Sequence, residues 1–132
     1  MVRKIIVNPP TVAAPQYGYY SNSVKVTAGP LLFITGLLGL DLEGRLIGAD
    51  SAAAQTEQIF VNLKAILAAS SATLEDVVQA TVYLTNIEDT TAIRPVRAKY
   101  FPKDGPASVL VAVSRLAFEN AKIEMDAIAV VP

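Results

Sequence analysis

The segment Lys122 to Val131 constrains this chain more than any other. Ile123, Met125, Ala127 and Ala129 alternate with Glu124, Asp126, Ile128 and Val130. Successive side chains of a strand point to opposite faces, so a strand here carries apolar groups on both sides. Each side then needs a cover. The chain has 132 residues, about one domain of roughly 150, and two helices can cover only one face of a sheet this size. The second layer is expected from another copy of the same chain, and soluble homo-oligomers are usually closed and cyclic.

Composition supports a well-packed, self-associating domain spanning 1–132. Hydrophobic residues make up 52% and charged residues 17%, which excludes intrinsic disorder and exceeds the usual apolar share. A domain of this length buries about two thirds of its unfolded surface. Eleven basic and twelve acidic residues leave a net charge of −1, so there is no basic excess to neutralise a phosphate backbone and nucleic acid is not an expected partner. Neither Cys nor His occurs. Their absence removes a disulfide framework, a thiolate zinc site, a Cys nucleophile and the imidazole base of a Ser-His-Asp triad. No metal site is expected, and any chemistry rests on carboxylates, phenols, Lys, Arg, hydroxyls and the backbone. No apolar run approaches the roughly 18–20 residues of a membrane span, and Met1 to Pro10 lacks the apolar core of a signal peptide. A cytoplasmic protein with no membrane partner is expected.

Pro9, Pro10 and Pro15 mark residues 8–18 as an extended lead-in. Ser23 to Thr27 and Leu31 to Thr35 read as strands. The breaker Ala28-Gly29-Pro30 between them suggests a hairpin of the two. Glycines 36, 39, 44 and 48 punctuate a loop, with a short strand expected near Arg45 to Ile47. Ser51 suits a helix N-cap, and Thr56, Ile59, Phe60, Leu63, Ile66 and Leu67 recur as one apolar helical stripe to about Ala69. Thr73 and Asp76 resemble a short cap before a β-branched strand, Val77 to Leu84. A second helix from near Asp89 through Tyr100 and Phe101 contains Pro95, so it either starts near Arg94 or kinks. Strands follow at Ala107 to Val113 and Lys122 to Val131. This order predicts an α+β domain, one mixed sheet with two helices on one face.

Glu124 and Asp126 share a strand face, about 6.5–7 Å apart by strand rise. They are either two solvated acids or, partly buried, a pair that can hold a water and move a proton. Tyr17, Tyr19 and Tyr20 flank Gly18. They either anchor a loop on the core or send a phenol into a cleft. Ser21 and Ser23 lack an imidazole partner. Arg94, Arg97 and Lys99 lie near the second helix, where charges ordinarily form a solvated face. Gly36 and Gly39 make neither a dinucleotide fingerprint nor a P-loop.

An ordered set of segments carries a further signal: Gly18-Tyr19-Tyr20-Ser21, Phe33-Ile34-Thr35-Gly36, Gln55 to Leu67, Leu74 to Val78, Thr81 to Thr85, Tyr100-Phe101-Pro102, Pro106-Ala107 and Ile123 to Ala129. Their succession resembles the Rid family. These reactive-intermediate (enamine/imine) deaminases are also called YjgF proteins and are often labelled endoribonuclease L-PSP. The resemblance runs from about Gly18 to Val131. It implies a chorismate-mutase-like α+β fold and a homotrimer, with small carboxylated ligands bound in clefts between subunits. It also implies hydrolysis of 2-imino or 2-enamino acids to 2-keto acids and ammonia, with no cofactor and no metal.

Residue by residue, Tyr20 matches the family tyrosine, although Tyr19 replaces its preceding proline. Thr35-Gly36 matches the Ser-Gly lining the cleft. Glu124 matches the glutamate that positions the hydrolytic water. Leu110 stands where a backbone carbonyl helps hold that water, and Asp126 replaces a second glutamate. Four positions depart from the pattern. Ser108 stands where the family has the arginine that grips the substrate carboxylate in a bidentate pair. Arg94 replaces a usual asparagine, Leu37 a common glutamine, and Ala117 a common proline. The resemblance therefore implies a hydrolase or deaminase whose substrate-anchoring residues, Arg94 and Ser108 among them, are altered, and which acts on an imine- or enamine-type intermediate other than the standard 2-imino acids. The alternative is a non-catalytic homotrimer that binds a small ligand or a partner protein. A ribonuclease is disfavoured by the charge balance and the absence of a basic stripe.

Overall fold

A computed structural model describes residues 2–132. Its elements are β1 (Lys4–Val7), β2 (Ser23–Val26), β3 (Leu31–Leu37), α1 (Ala52–Ala68), a 3-10 turn (Leu74–Asp76), β4 (Val77–Leu84), α2 (Asp89–Tyr100), β5 (Ala107–Ala112) and β6 (Ile123–Val130). Strands β3-β6-β4-β5 form the main sheet. β6 runs antiparallel to both its neighbours, whereas β4 and β5 are parallel, because α2 crosses over between them. The α+β class, with two helices on one face of a mixed sheet, is as the sequence leads one to expect.

α1 starts where Ser51 Oγ accepts from the Ala54 amide at 3.0 Å, the N-cap geometry. Its buried stripe contains Ile59, Phe60, Leu63 and Leu67, each fully buried, against the inward residues of β6. The stripe also buries Gln55, a polar residue that must be fully satisfied. Its amide donates to the carbonyls of Gly48 and Asn120, and its Oε1 accepts from the Lys122 amide at 2.8 Å. Gln55 thereby fixes the entry to β6 two residues before Glu124. Before β4, the Thr73 amide donates to Asp76 Oδ2 at 2.9 Å, the half of a capping box that the spacing of these residues suggests.

Two expectations are corrected and one is narrowed. β2 does not form a hairpin with β3. It pairs antiparallel with β1, from Lys4 opposite Val26 to Val7 opposite Ser23, in a separate two-stranded sheet. Gly29, at φ +102°, turns the chain away between β2 and β3. Arg3 ties the ribbon down through Asp76 at 2.7 Å, and Lys4 Nζ donates to the Val77 carbonyl at 3.3 Å. β1 itself escaped notice because the neighbouring prolines mask a run of only four residues. The strand expected near Arg45 reduces to a single bridge, Leu40 to Leu46. Of the two alternatives for α2, the late start near Arg94 is excluded, because the helix begins at Asp89 and contains Pro95. Proline lacks the N–H for the carbonyl four residues back. The exposed Pro95 is tolerated because Ile93 and Val96 on either side are buried.

The face of the sheet away from the helices is uncovered within one chain. Phe33 is 72% exposed, and Leu31, Val109 and Val111 are exposed with it. Among the described residues no helix is long and apolar enough to cross a membrane.

Candidate functional site

Register divides the candidate residues between two places. Along β6, Ile123, Met125, Ala127 and Ala129 are buried under the helices, so Glu124 and Asp126, both half-buried, look to the uncovered face. A bulge in β3 lies opposite them. Ile34 pairs with Ala127 and Leu37 with Met125, so Thr35 and Gly36 together oppose Asp126. Such a bulge re-aims the chain locally. Gly36 comes to rest on the Glu124 side chain so closely that a Cβ at residue 36 would collide with Oε2. The glycine is therefore the seat of the carboxylate. Thr35 is exposed beside it. Asp126 Oδ2 accepts from the Tyr83 hydroxyl at 3.0 Å, and that bond, with burial, raises the Tyr83 pKa. Among the described residues Glu124 forms no ion pair.

The other residues meet on the helix side, at the β5 edge. Ser108 and Leu110 pair with the inward-facing Ala80 and Val82 of β4. They border a cleft of 290 Å³ together with Tyr17, Tyr19, Tyr20, Thr90, Arg94 and Arg97. Two glycines bring the tyrosine segment this close. A Cβ on Gly18 would strike the Pro102 carbonyl, and one on Gly105 would strike the Tyr19 backbone. The Gly105 amide donates to the Gly18 carbonyl at 3.0 Å, the Ser21 amide to Pro106 at 3.1 Å, and Ser21 Oγ to the Gly105 carbonyl at 2.6 Å. Ser21 bridges to Ala107 in parallel register and extends the sheet past β5. The three tyrosines are thus both anchor and wall: Tyr19 is buried in the core with Tyr20 packed against it, and both line the cleft. Tyr20 Oη accepts from the Gln16 amide at 3.0 Å, which leaves its own proton free to donate.

Arg97 corrects the expectation of a solvated helix face. It is 7% exposed. Its guanidinium lies 4.2 Å from the centroid of the Tyr19 ring, and Nη2 donates to Ser108 Oγ at 3.1 Å. Burial, with the neighbouring Arg94 charge, lowers its pKa, while Tyr19 and Tyr20 oppose the shift. Arg94, one helical turn earlier and so on the same face, lies 4.8 Å over the Tyr17 ring. Tyr17 and Tyr19 are themselves stacked, 5.0 Å apart at 9°. Sequence reasoning missed Arg97 because one arginine on a helix gives no sign of burial. The available signal was its spacing from Arg94 combined with two tyrosines one residue apart. Lys99 lies elsewhere, exposed and paired with Glu57 at 3.1 Å.

The chain is similar to known proteins over nearly its whole length. The family described as "Endoribonuclease L-PSP" matches residues 11–131. "Protein DfrA" of Myxococcus xanthus is 39% identical over 113 residues, 86% of each chain. The "2-iminobutanoate/2-iminopropanoate deaminase" of Dermatophagoides farinae is 30% identical over 131 residues, 99% of each chain. Among solved structures, YyfB of Yersinia pestis, a Rid family protein described as of unknown function, superposes with a TM-score of 0.90. It is 30% identical, over 98% of this chain and 100% of its own. With sequence and fold matched over nearly its whole length, the chain belongs to the Rid family, the YjgF or L-PSP proteins.

Proposed function

We propose that the chain is a cytoplasmic Rid-type hydrolase of imines or enamines, working as a homotrimer whose active clefts form between subunits. The observation that carries this reading is the Glu124 carboxylate seated on Gly36, free of ion pairs among the described residues. It is available to hold a water. Within one chain Glu124, Thr35 and Gly36 lie on the opposite side of the sheet from Tyr20, Arg94, Ser108 and Leu110. A single cleft can use both sets only if one copy presents its uncovered face to another copy's β5 edge. The exposed Leu31, Phe33, Val109 and Val111 give that contact an apolar driving force.

The chemistry needs only water. Glu124 takes a proton from water as that water attacks the imine carbon and passes it to nitrogen, giving the carbinolamine. It then takes the hydroxyl proton as the carbinolamine collapses to a carbonyl and delivers it to the departing nitrogen, which leaves as ammonia. Tyr20 offers its free hydroxyl as a hydrogen-bond donor to the substrate, and the Leu110 backbone carbonyl completes the water site. Arg97, reaching Ser108 from α2, supplies the positive charge that the family pattern would place at residue 108.

A threonine dehydratase that generates 2-aminocrotonate and 2-iminobutyrate in situ provides the test. The protein is expected to accelerate keto-acid release, short of the full rate of a family enzyme with the arginine in place, and Glu124→Gln to lower that rate by about 10²–10⁴-fold, the usual contribution of a positioned base. An unchanged rate in Glu124→Gln would overturn the mechanism. The serine at 108 favours a second reading, a ligand-binding homotrimer without catalysis. Turnover by Ser108→Arg with silence from the native protein would support that reading for this substrate.

A further inference from the structure

The cleft beside β5 carries two guanidiniums and no carboxylate among its lining residues. The whole chain has a net charge of −1, so this local positive charge does not follow from general basicity. Among the described residues neither Arg94 nor Arg97 forms an ion pair. Arg97 is buried with Ser108 as its side-chain acceptor. Arg94 Nε is buried with no hydrogen-bond partner at all. An unpaired buried donor is costly, and a guanidinium offers five donors in a planar fork suited to a carboxylate. Arg94 and Arg97 lie over the Tyr17 and Tyr19 rings, which restricts both side chains and leaves less conformational freedom to lose on binding.

One carboxylate can engage one such fork. Two forks a helical turn apart ask for two anionic groups separated by a short spacer. Resting on the hydrolase reading above, we infer that the substrates are 2-imino or 2-enamino dicarboxylates, with the α-carboxylate on Arg97 and the distal carboxylate on Arg94. Hydrolysis adds water across C=N and releases ammonia and a 2-oxo dicarboxylate. Selectivity arises because a monoacid leaves the second guanidinium unpaired.

The test separates binding from turnover. Calorimetry compares oxaloacetate with 2-oxobutyrate, and 2-iminosuccinate generated from aspartate by an amino-acid oxidase is compared with 2-iminobutyrate. The diacid is expected to bind at least about tenfold more tightly, an increment ordinary for one charge-assisted pair. Arg94→Ala should bring that ratio close to one. Arg97→Lys, which keeps the charge but loses the fork, should weaken both ligands, with circular dichroism confirming the fold. Equal binding of mono- and diacid would overturn the inference while leaving the hydrolase reading intact. Diacid preference with no hydrolysis of either imine would sustain the dianion site and remove the hydrolase reading. Tighter binding of inorganic phosphate than of the diacid would also overturn it.

Discussion

At the residue scale, Gly36 separates folding from chemistry. The atom that an alanine Cβ would meet there is the far end of the Glu124 side chain, not backbone. The side chain can swing away, so Gly36→Ala should leave the thermal midpoint nearly unchanged. On the proposed mechanism, the displaced carboxylate should lower kcat on the order of 10²-fold, as a misplacement of about 1 Å can. A thermal melt alongside a rate assay checks both halves. Strand parity alone put Glu124 and Asp126 on one face, and the structure agrees. It assigns them different work, since Asp126 accepts the Tyr83 hydroxyl. Parity could not show the bulge that seats Glu124, because a bulge depends on the pairing partner. The burial of Arg97 was equally hidden, since it requires the tyrosine segment to fold back across Gly105.

At the element scale, helix α1 and strands β4 and β6 were legible because each carries its own period. The β1–β2 ribbon was not, because strands of four residues can pair in several ways and tertiary contacts choose among them. The two helices are joined by packing and by charge. Phe60 is fully buried, stacks on Tyr100 at 4.5 Å and meets Phe101 edge-on at 5.3 Å. Phe60→Ala should lower unfolding free energy by about 3–5 kcal/mol, measurable by urea titration. At the surface, Glu57 accepts from the Tyr100 hydroxyl at 2.6 Å and from Lys99 at 3.1 Å. The Tyr100 bond, then Lys99, lowers the Glu57 pKa below its ordinary value of 4.5. A lowered carboxylate pKa adds stability above the unfolded value and loses it as pH falls through the folded one. The site is exposed, so Glu57→Gln should cost less than about 1 kcal/mol at neutral pH. The difference between variant and parent should close in melts taken progressively below pH 4.5.

At the scale of the whole molecule, apolar residues on both faces of one strand already argued for a second layer from another copy. The uncovered face with Phe33 at 72% exposure is what that argument anticipates. A charge at its centre opposes any apolar contact there. If the chain assembles as the proposed homotrimer, Phe33→Asp should shift it toward monomer in sedimentation velocity while leaving the far-ultraviolet dichroism native.

The division of Glu124 and Arg97 between opposite sides of the sheet also has a genetic consequence. If the cleft forms between subunits as proposed, two defective alleles, one with Glu124→Gln and one with Arg97→Ala, should rescue each other. A copy lacking the acid still carries its arginine, and a copy lacking the arginine still carries its acid. When the two are unfolded together and reassembled at random, about a quarter of the clefts inherit one intact half from each parent. Activity regained from two inactive proteins would show that the unit of function is the seam between chains.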